Sequence, residues 1–177
     1  MKNTHLSRRL FLSGIAVGSA SLFLSACSKD KIIVYANSKQ VLLQAAYHLY
    51  PTSSIGFGAK DLHIASYINF VLEDERIIKS DRDYFLKGAT WLEESAFEEY
   101  DKSFLNLSKD EKEDLFENIT QKRWGENFVY NTLTYIFEAM ISAPIYGSNI
   151  DEIGWKWLDH NPGFPQPQTI KEITYEV

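Results

Sequence analysis

From residue 38 onward, apolar positions recur at helical spacing and polar residues fill the gaps between them. Ser38 stands where it caps a helix carrying Val41, Leu42, Ala45 and Leu49 on one face, and Pro51 with the following Thr-Ser-Ser and Gly residues ends it. Asp61 is placed to cap a second helix, with Ile64, Ile68, Val71 and Leu72 in register. Ser80 or Asp81 opens a third, whose apolar face is Phe85, Ala89, Leu92 and Ala96 and whose acidic face, Glu93, Glu94, Glu98 and Glu99, reads as solvated. Ser108-Lys109-Asp110-Glu111 is a capping box at the start of a fourth helix, which holds Leu115 and Ile119 inward and runs to about Arg123. Gly125 separates it from the most apolar helix, with Val129, Leu133, Ile136 and Met140 at i, i+4, i+7 and i+11, which Pro144 ends. The pattern predicts an all-α fold: one small domain of about five helices over residues 38–143, without internal repeats.

Between Pro144 and Pro167 the periodicity stops. Four of the five prolines, three of the nine glycines and two of the four tryptophans lie here, so the segment reads as ordered but irregular backbone. Trp155 and Trp157 at i and i+2 would face the same way on an extended chain, either into the core or toward a partner, for which large stiff aromatics are the strongest anchors. Residues 144–177 are therefore expected to form a docking segment and tail, with Ile173, Tyr175 and Val177 alternating in a short strand or an extended end.

The first 26 residues have the three-part layout of a cleaved export signal: Lys2, Arg8 and Arg9, then an apolar run from Phe11 to Phe23, then Ser25 and Ala26. The run is too short, and too broken by Gly14 and Gly18, for a permanent anchor. Ser7-Arg8-Arg9-Leu10-Phe11-Leu12 is similar to the twin-arginine signature, which serves proteins exported already folded. Leu24-Ser25-Ala26-Cys27 is similar to a lipobox, and Cys27 is the protein's only cysteine, with no disulfide partner. Residues 1–26 are thus read as a twin-arginine-type lipoprotein signal, Cys27 as the lipidation site, and 27–37 as a tether.

Charge and motifs narrow the function further. The chain has 18 basic and 24 acidic residues, and cleavage removes three basic ones, leaving a formal charge of about −9 that disfavours nucleic acid and anionic headgroups. Membrane attachment would rest on acyl chains. Haem, iron–sulfur, dinucleotide, phosphate-loop and nucleophile-elbow patterns are missing, and Gly56-Phe57-Gly58 reads as a turn. No two of His48, His63 and His160 share a helical face, so neither they nor Asp151 and Asp159 make a metal site. His48 is expected to pack beside Tyr47 and Tyr50, and Asp159-His160 to form a turn in which the aspartate bonds local backbone. No catalytic, cofactor-binding or metal residues are assigned.

"APIYGSNIDEIGWKWLDHNPGFPQP" resembles the C-terminal signature of the gluconate 2-dehydrogenase subunit 3 family through Tyr146-Gly147, Asn149, Gly154-Trp155, Gly163 and Pro165, and "LNLSKDEKEDLFENI" resembles its helix entry. The resemblance implies a small subunit without a cofactor of its own. Its partners would be a large FAD-binding dehydrogenase of the glucose–methanol–choline type and a cytochrome c subunit carrying haem c. The small subunit would take the folded flavoprotein through the twin-arginine translocase to the periplasmic side of the bacterial cytoplasmic membrane. On this reading Tyr146, Gly147, Asn149, Gly154, Trp155, Trp157, Gly163, Phe164 and Pro165 are the docking residues. The lipobox departs from many family members, and the substrate, whether gluconate, glucose or fructose, does not follow. A reading from another class stays open beside it: a freestanding lipoprotein binding a small ligand in its helical bundle.

Overall fold

The computed structural model describes residues 36–166; Ser7, Arg8, Arg9, Phe11, Leu12, Cys27 and the alternating tail from Ile173 to Val177 lie outside the described residues. Six α-helices follow one another: α1 Ser38–Leu49, α2 Ile64–Glu73, α3 Lys79–Tyr100, α4 Lys109–Thr120, α5 Arg123–Ile141 and α6 Ile153–Leu158. Short 3-10 turns lie at Phe104–Asn106, Pro144–Tyr146 and Ile150–Glu152. Among the described residues there is no strand, only an isolated bridge between Ser53 and Gly56. The fold is all-α.

Local chemistry explains where the helices start. The expected capping box is formed: Ser108 Oγ accepts from the Glu111 amide at 3.2 Å, and Glu111 Oε2 accepts from the Ser108 amide at 2.8 Å. At α1 the cap is Asn37, one residue before the expected Ser38, whose hydroxyl instead pairs with Thr90 of α3 at 2.9 Å. Asp61 does not cap α2. Its carboxylate accepts from the Gly58 amide at 2.8 Å and from the Thr52 hydroxyl, closing the loop that precedes the helix, and these bonds hold its pKa below the ordinary carboxylate value. The chain then enters α2 through His63 in the left-handed region, φ 56°. α3 begins at Lys79 behind Ile78 with no side-chain cap, so Ser80 and Asp81 lie inside its first turn, where Asp81 favours the positive helix end.

α5 is the central helix, packed against α1, α2, α3, α4 and α6. Its buried positions are Gly125, Phe128, Thr132, Ile136, Ala139 and Met140, while the expected Val129 and Leu133 are half-buried at the margin of this arc. Gly125 is not a break between helices. α4 ends at Thr120, and a Cβ at Gly125 would collide with the backbone carbonyl of Ile119, so glycine permits the close approach that turns α4 directly into α5. Glu93 departs furthest from its expected place. It is 1% exposed, with one carboxylate oxygen accepting from the Ala36 amide and the other from the Phe104 amide, each at 2.9 Å. Its position explains this: four residues after Ala89 and three before Ala96, it stands on the apolar stripe of α3.

The stretch after α5 is less irregular than its composition predicts. Between the glycine and proline positions lies the six-residue run Ile153–Leu158, free of both except Gly154, and it forms α6.

Candidate functional site

Every α-helix leaves its last four carbonyls without intrahelical partners. In α5, whose last internal bond runs from the Ser142 amide to the Glu138 carbonyl, these are the carbonyls of residues 139 to 142. The following segment supplies donors to three of them. Ser142 Oγ and Ser148 Oγ each donate to the Ala139 carbonyl at 3.1 Å, Trp155 Nε1 donates to Ile141 at 2.8 Å, and Asn149 Nδ2 donates to Ser142 at 3.0 Å. The fourth, on Met140, is approached so closely by Gly154 that a Cβ there would collide with it. Asn149 holds the latch together. It is fully buried at φ 52°, its Oδ1 accepts from the Gly154 amide at 2.7 Å, and its own amide donates to Leu62 at 3.1 Å. Gly147, at φ 86°, lets the chain turn against Ser66, and the Tyr146 ring lies 4.9 Å from that of Phe70.

Tyr146, Gly147, Asn149, Gly154 and Trp155, expected on a docking surface, are therefore engaged with the protein's own core. Trp155 is 4% exposed. The two tryptophans do not share a face, because on α6 a spacing of two residues turns the side chain by about 200°. Trp157 is 51% exposed. Gly163, Phe164 and Pro165 are also exposed, and Phe164 lines, with His160 and Trp155 among others, an open cleft of about 320 Å³.

Trp157 starts a string of aromatic rings, each meeting the next edge-on: Phe57 at 5.7 Å, then Tyr50 at 6.2 Å, then Phe137 of α5 at a further 6.2 Å. Trp157 Nε1 donates to the Ile55 carbonyl at 3.4 Å, and a Cβ on Gly56 would stand 3.1 Å from that nitrogen, so a side chain there would press the indole outward by a few tenths of an ångström. Ile55, Phe137 and Ile141 all leave more than half of their surface in water. Sequence reasoning assigned no docking role to Tyr50, Ile55, Phe57 or Phe137. The available signal was absence of charge: in a chain that is 24% charged, Tyr50–Gly58 and Asn127–Phe137 contain no ionisable acid or base apart from tyrosine.

The histidines are dispersed. His48 stacks flat on Phe116 of α4 at 5.3 Å, with Nε2 3.2 Å from Glu113; burial lowers its pKa against the opposing pull of Glu113. At the Asp159–His160 turn the bonds are made by the main chain, with the His160 amide donating to Trp155 at 2.8 Å. Among the described residues no group of three His, Cys, Asp or Glu is placed to hold a metal ion, and no helix is long and apolar enough to cross a membrane.

The fold and site define an all-α domain whose irregular segment is latched onto the end of its central helix and presents an exposed aromatic edge. The chain belongs to the gluconate 2-dehydrogenase subunit 3 family, whose profile matches residues 36–163. The match takes in the whole latch and ends at Gly163, just before Phe164 and Pro165. No curated protein and no solved structure matches the chain.

Proposed function

We propose that this protein is the non-catalytic small subunit of an exported FAD-dependent sugar or sugar-acid dehydrogenase. It binds the folded flavoprotein, escorts it through the twin-arginine translocase and stabilises it at the periplasmic face of the membrane, held there by a lipid on Cys27. FAD belongs to the large glucose–methanol–choline-type subunit and haem c to a cytochrome partner that takes the electrons onward. Membership of a family named for a dehydrogenase subunit supports the complex, and Arg8-Arg9 with Cys27 supports the route and the anchor.

The observation that carries the reading is the exposed edge of Ile55, Trp157 and Phe137, linked through the half-buried ring of Phe57. Large, stiff, half-exposed aromatics joined ring to ring are the side chains that contribute most per residue to protein–protein affinity. The test is affinity isolation of the tagged full-length chain from cells expressing the neighbouring dehydrogenase, followed by a flavin absorbance spectrum and by exported activity with and without this chain. Co-isolated flavin, and loss of periplasmic activity when the chain is deleted, are expected. A flavin-free monomer together with undiminished exported activity would sink the proposal.

A further inference from the structure

A second group of aromatic rings lies on the outer side of α3. Tyr84, Lys87, Trp91, Glu94, Ser95 and Glu98 fall within about 100° of one another around that helix, turned away from its buried stripe of Phe85, Ala89, Leu92 and Ala96. α3 and α5 come close at Gly88, where a Cβ would stand 2.5 Å from the Phe128 ring. About one turn further along α3 and one turn back along α5, Trp91 and Trp124 meet, with ring centroids 5.5 Å apart and planes at 60°. Together with Glu94, Ser95, Glu98 and Lys122 they line a hollow of about 200 Å³. The ion pairs among the described residues are His48–Glu113, Arg76–Asp74, Lys79–Asp83 and Lys102–Glu111, and none of them engages Glu94, Glu98 or Lys122. Glu94 is nevertheless half-buried. The rings already draw a cation, since Lys87 Nζ lies 5.1 Å from the centroid of Trp91.

We infer that this hollow seats the guanidinium of an arginine side chain from another protein, its plane against the indoles and its N–H fork on Glu94 and Glu98. The inference does not rest on the docking reading above, and either can fail alone. A guanidinium is planar and weakly hydrated, stacks on aromatic faces and donates to carboxylates in pairs, so one group answers both the rings and the acids. Glu94 and Glu98, four residues apart, are neighbours on the helix surface and present those acceptors together. With Lys122 counted, the hollow keeps a net charge of −1, which one guanidinium neutralises. Its size points the same way: a pocket for a drug-sized ligand or cofactor takes about 300–1,000 Å³, so this one fits a single side chain. The site is also separate from the Trp157 edge. Trp124 precedes Ile141 by about 26 Å along α5, and it stands about 140° around that helix from Phe137.

The experiment follows the indole N–H signals of the four tryptophans by nuclear magnetic resonance in the full chain, while the capped peptide acetyl-Gly-Arg-Gly-amide is added. The Trp91 and Trp124 signals should move together along one saturable curve, and those of Trp155 and Trp157 should stay still. The same peptide with lysine in place of arginine should bind several-fold more weakly, because a compact, strongly hydrated ammonium neither stacks nor forks. Glu94→Gln combined with Glu98→Gln keeps the shape of both side chains on the outer face of α3, so circular dichroism should not change. Binding should nevertheless weaken about tenfold, the loss expected when charge-assisted hydrogen bonds become neutral ones. An absence of movement at Trp91 and Trp124, equal movement of all four indoles, or undiminished binding by the double glutamine variant would overturn the inference. Tetramethylammonium binding more tightly than the arginine peptide would overturn it equally, since the hollow would then be an aromatic cage for a small cation.

Discussion

Replacing Trp155 by alanine tests whether the irregular segment is latched or merely laid on the surface. The indole is 4% exposed and its nitrogen donates to the Ile141 carbonyl at 2.8 Å, so truncation removes a buried ring and this carbonyl's donor. Trp→Ala at a packed site costs about 3–5 kcal/mol, of which the hydrogen bond accounts for roughly 1. Trp155→Phe, which keeps most of the ring, should cost about 2 kcal/mol. Against a total stability of about 5–15 kcal/mol for a domain of this size, the alanine variant loses a large fraction and should melt about 10 °C or more lower. Urea unfolding followed by circular dichroism measures the cost, and amide exchange in α6 locates it. If α6 separates from α5 before the core unfolds, the loss will be seen first as faster exchange at Ile153–Leu158. Trp157→Ala is the control: half-exposed, with one edge-on contact to Phe57, it should lower the urea midpoint by much less than Trp155→Ala. An alanine variant at 155 with a wild-type midpoint and wild-type exchange in α6 would refute the latch.

Three other expectations follow from single contacts. Gly125→Ala should destabilise by about 2 kcal/mol or more in thermal unfolding, although alanine is favoured over glycine inside helices by about 1 kcal/mol, because its methyl meets the Ile119 backbone; a stabilised variant would show that α4 and α5 are less closely joined. Glu93→Gln keeps the shape but turns an amide donor toward one of two backbone donors, so it should cost about 2 kcal/mol by urea titration, whereas Glu98→Gln, out in solvent, should be neutral. His48 has its pKa lowered by burial, so the unfolded chain binds the proton more readily. Its contribution is therefore present above the ordinary value near 6.5 and is lost as pH falls through the depressed folded value. The wild-type midpoint should drop between pH 7.5 and 5.5 more than that of His48→Gln, and equal slopes would count against the stacked, buried imidazole.

What could be read in advance divides by the range of the interaction. The capping box at Ser108 was legible because all four of its atoms lie within three residues of each other. Helix phase was legible for the same reason, and it placed the apolar faces of α1 to α5. Glu93 was hidden because residue type outweighed phase: a carboxylate on an apolar stripe is expected to be an error in the pattern, until two backbone amides from distant segments claim it. Gly125 and Gly154 are needed for close approaches to Ile119 and Met140, which no local window contains. The aromatic string joins residues 50 and 57 of one loop to 137 and 157, three separate parts of the chain, so it exists only once the chain has folded.

The segment from Tyr146 to Trp157 was recognisable as distinctive, yet most of its distinctive residues face inward. An irregular stretch following a long helix must first satisfy that helix's free carbonyls, and Ser148, Asn149 and Trp155 are donors suited to the task at the positions where Gly147 and Gly154 allow the chain to come close. Those residues then have little surface left for a partner. On the proposed function, contact would fall instead to Trp157, which the latch holds in place, and to Ile55 and Phe137, which lie outside the signature altogether. On that reading the signature would then mark the fold of the subunit, and the uncharged surface around it would set the choice of flavoprotein. Exchanging the Tyr50–Gly58 loop between two family members should therefore change which dehydrogenase is bound, and exchanging Gly147–Trp155 should not.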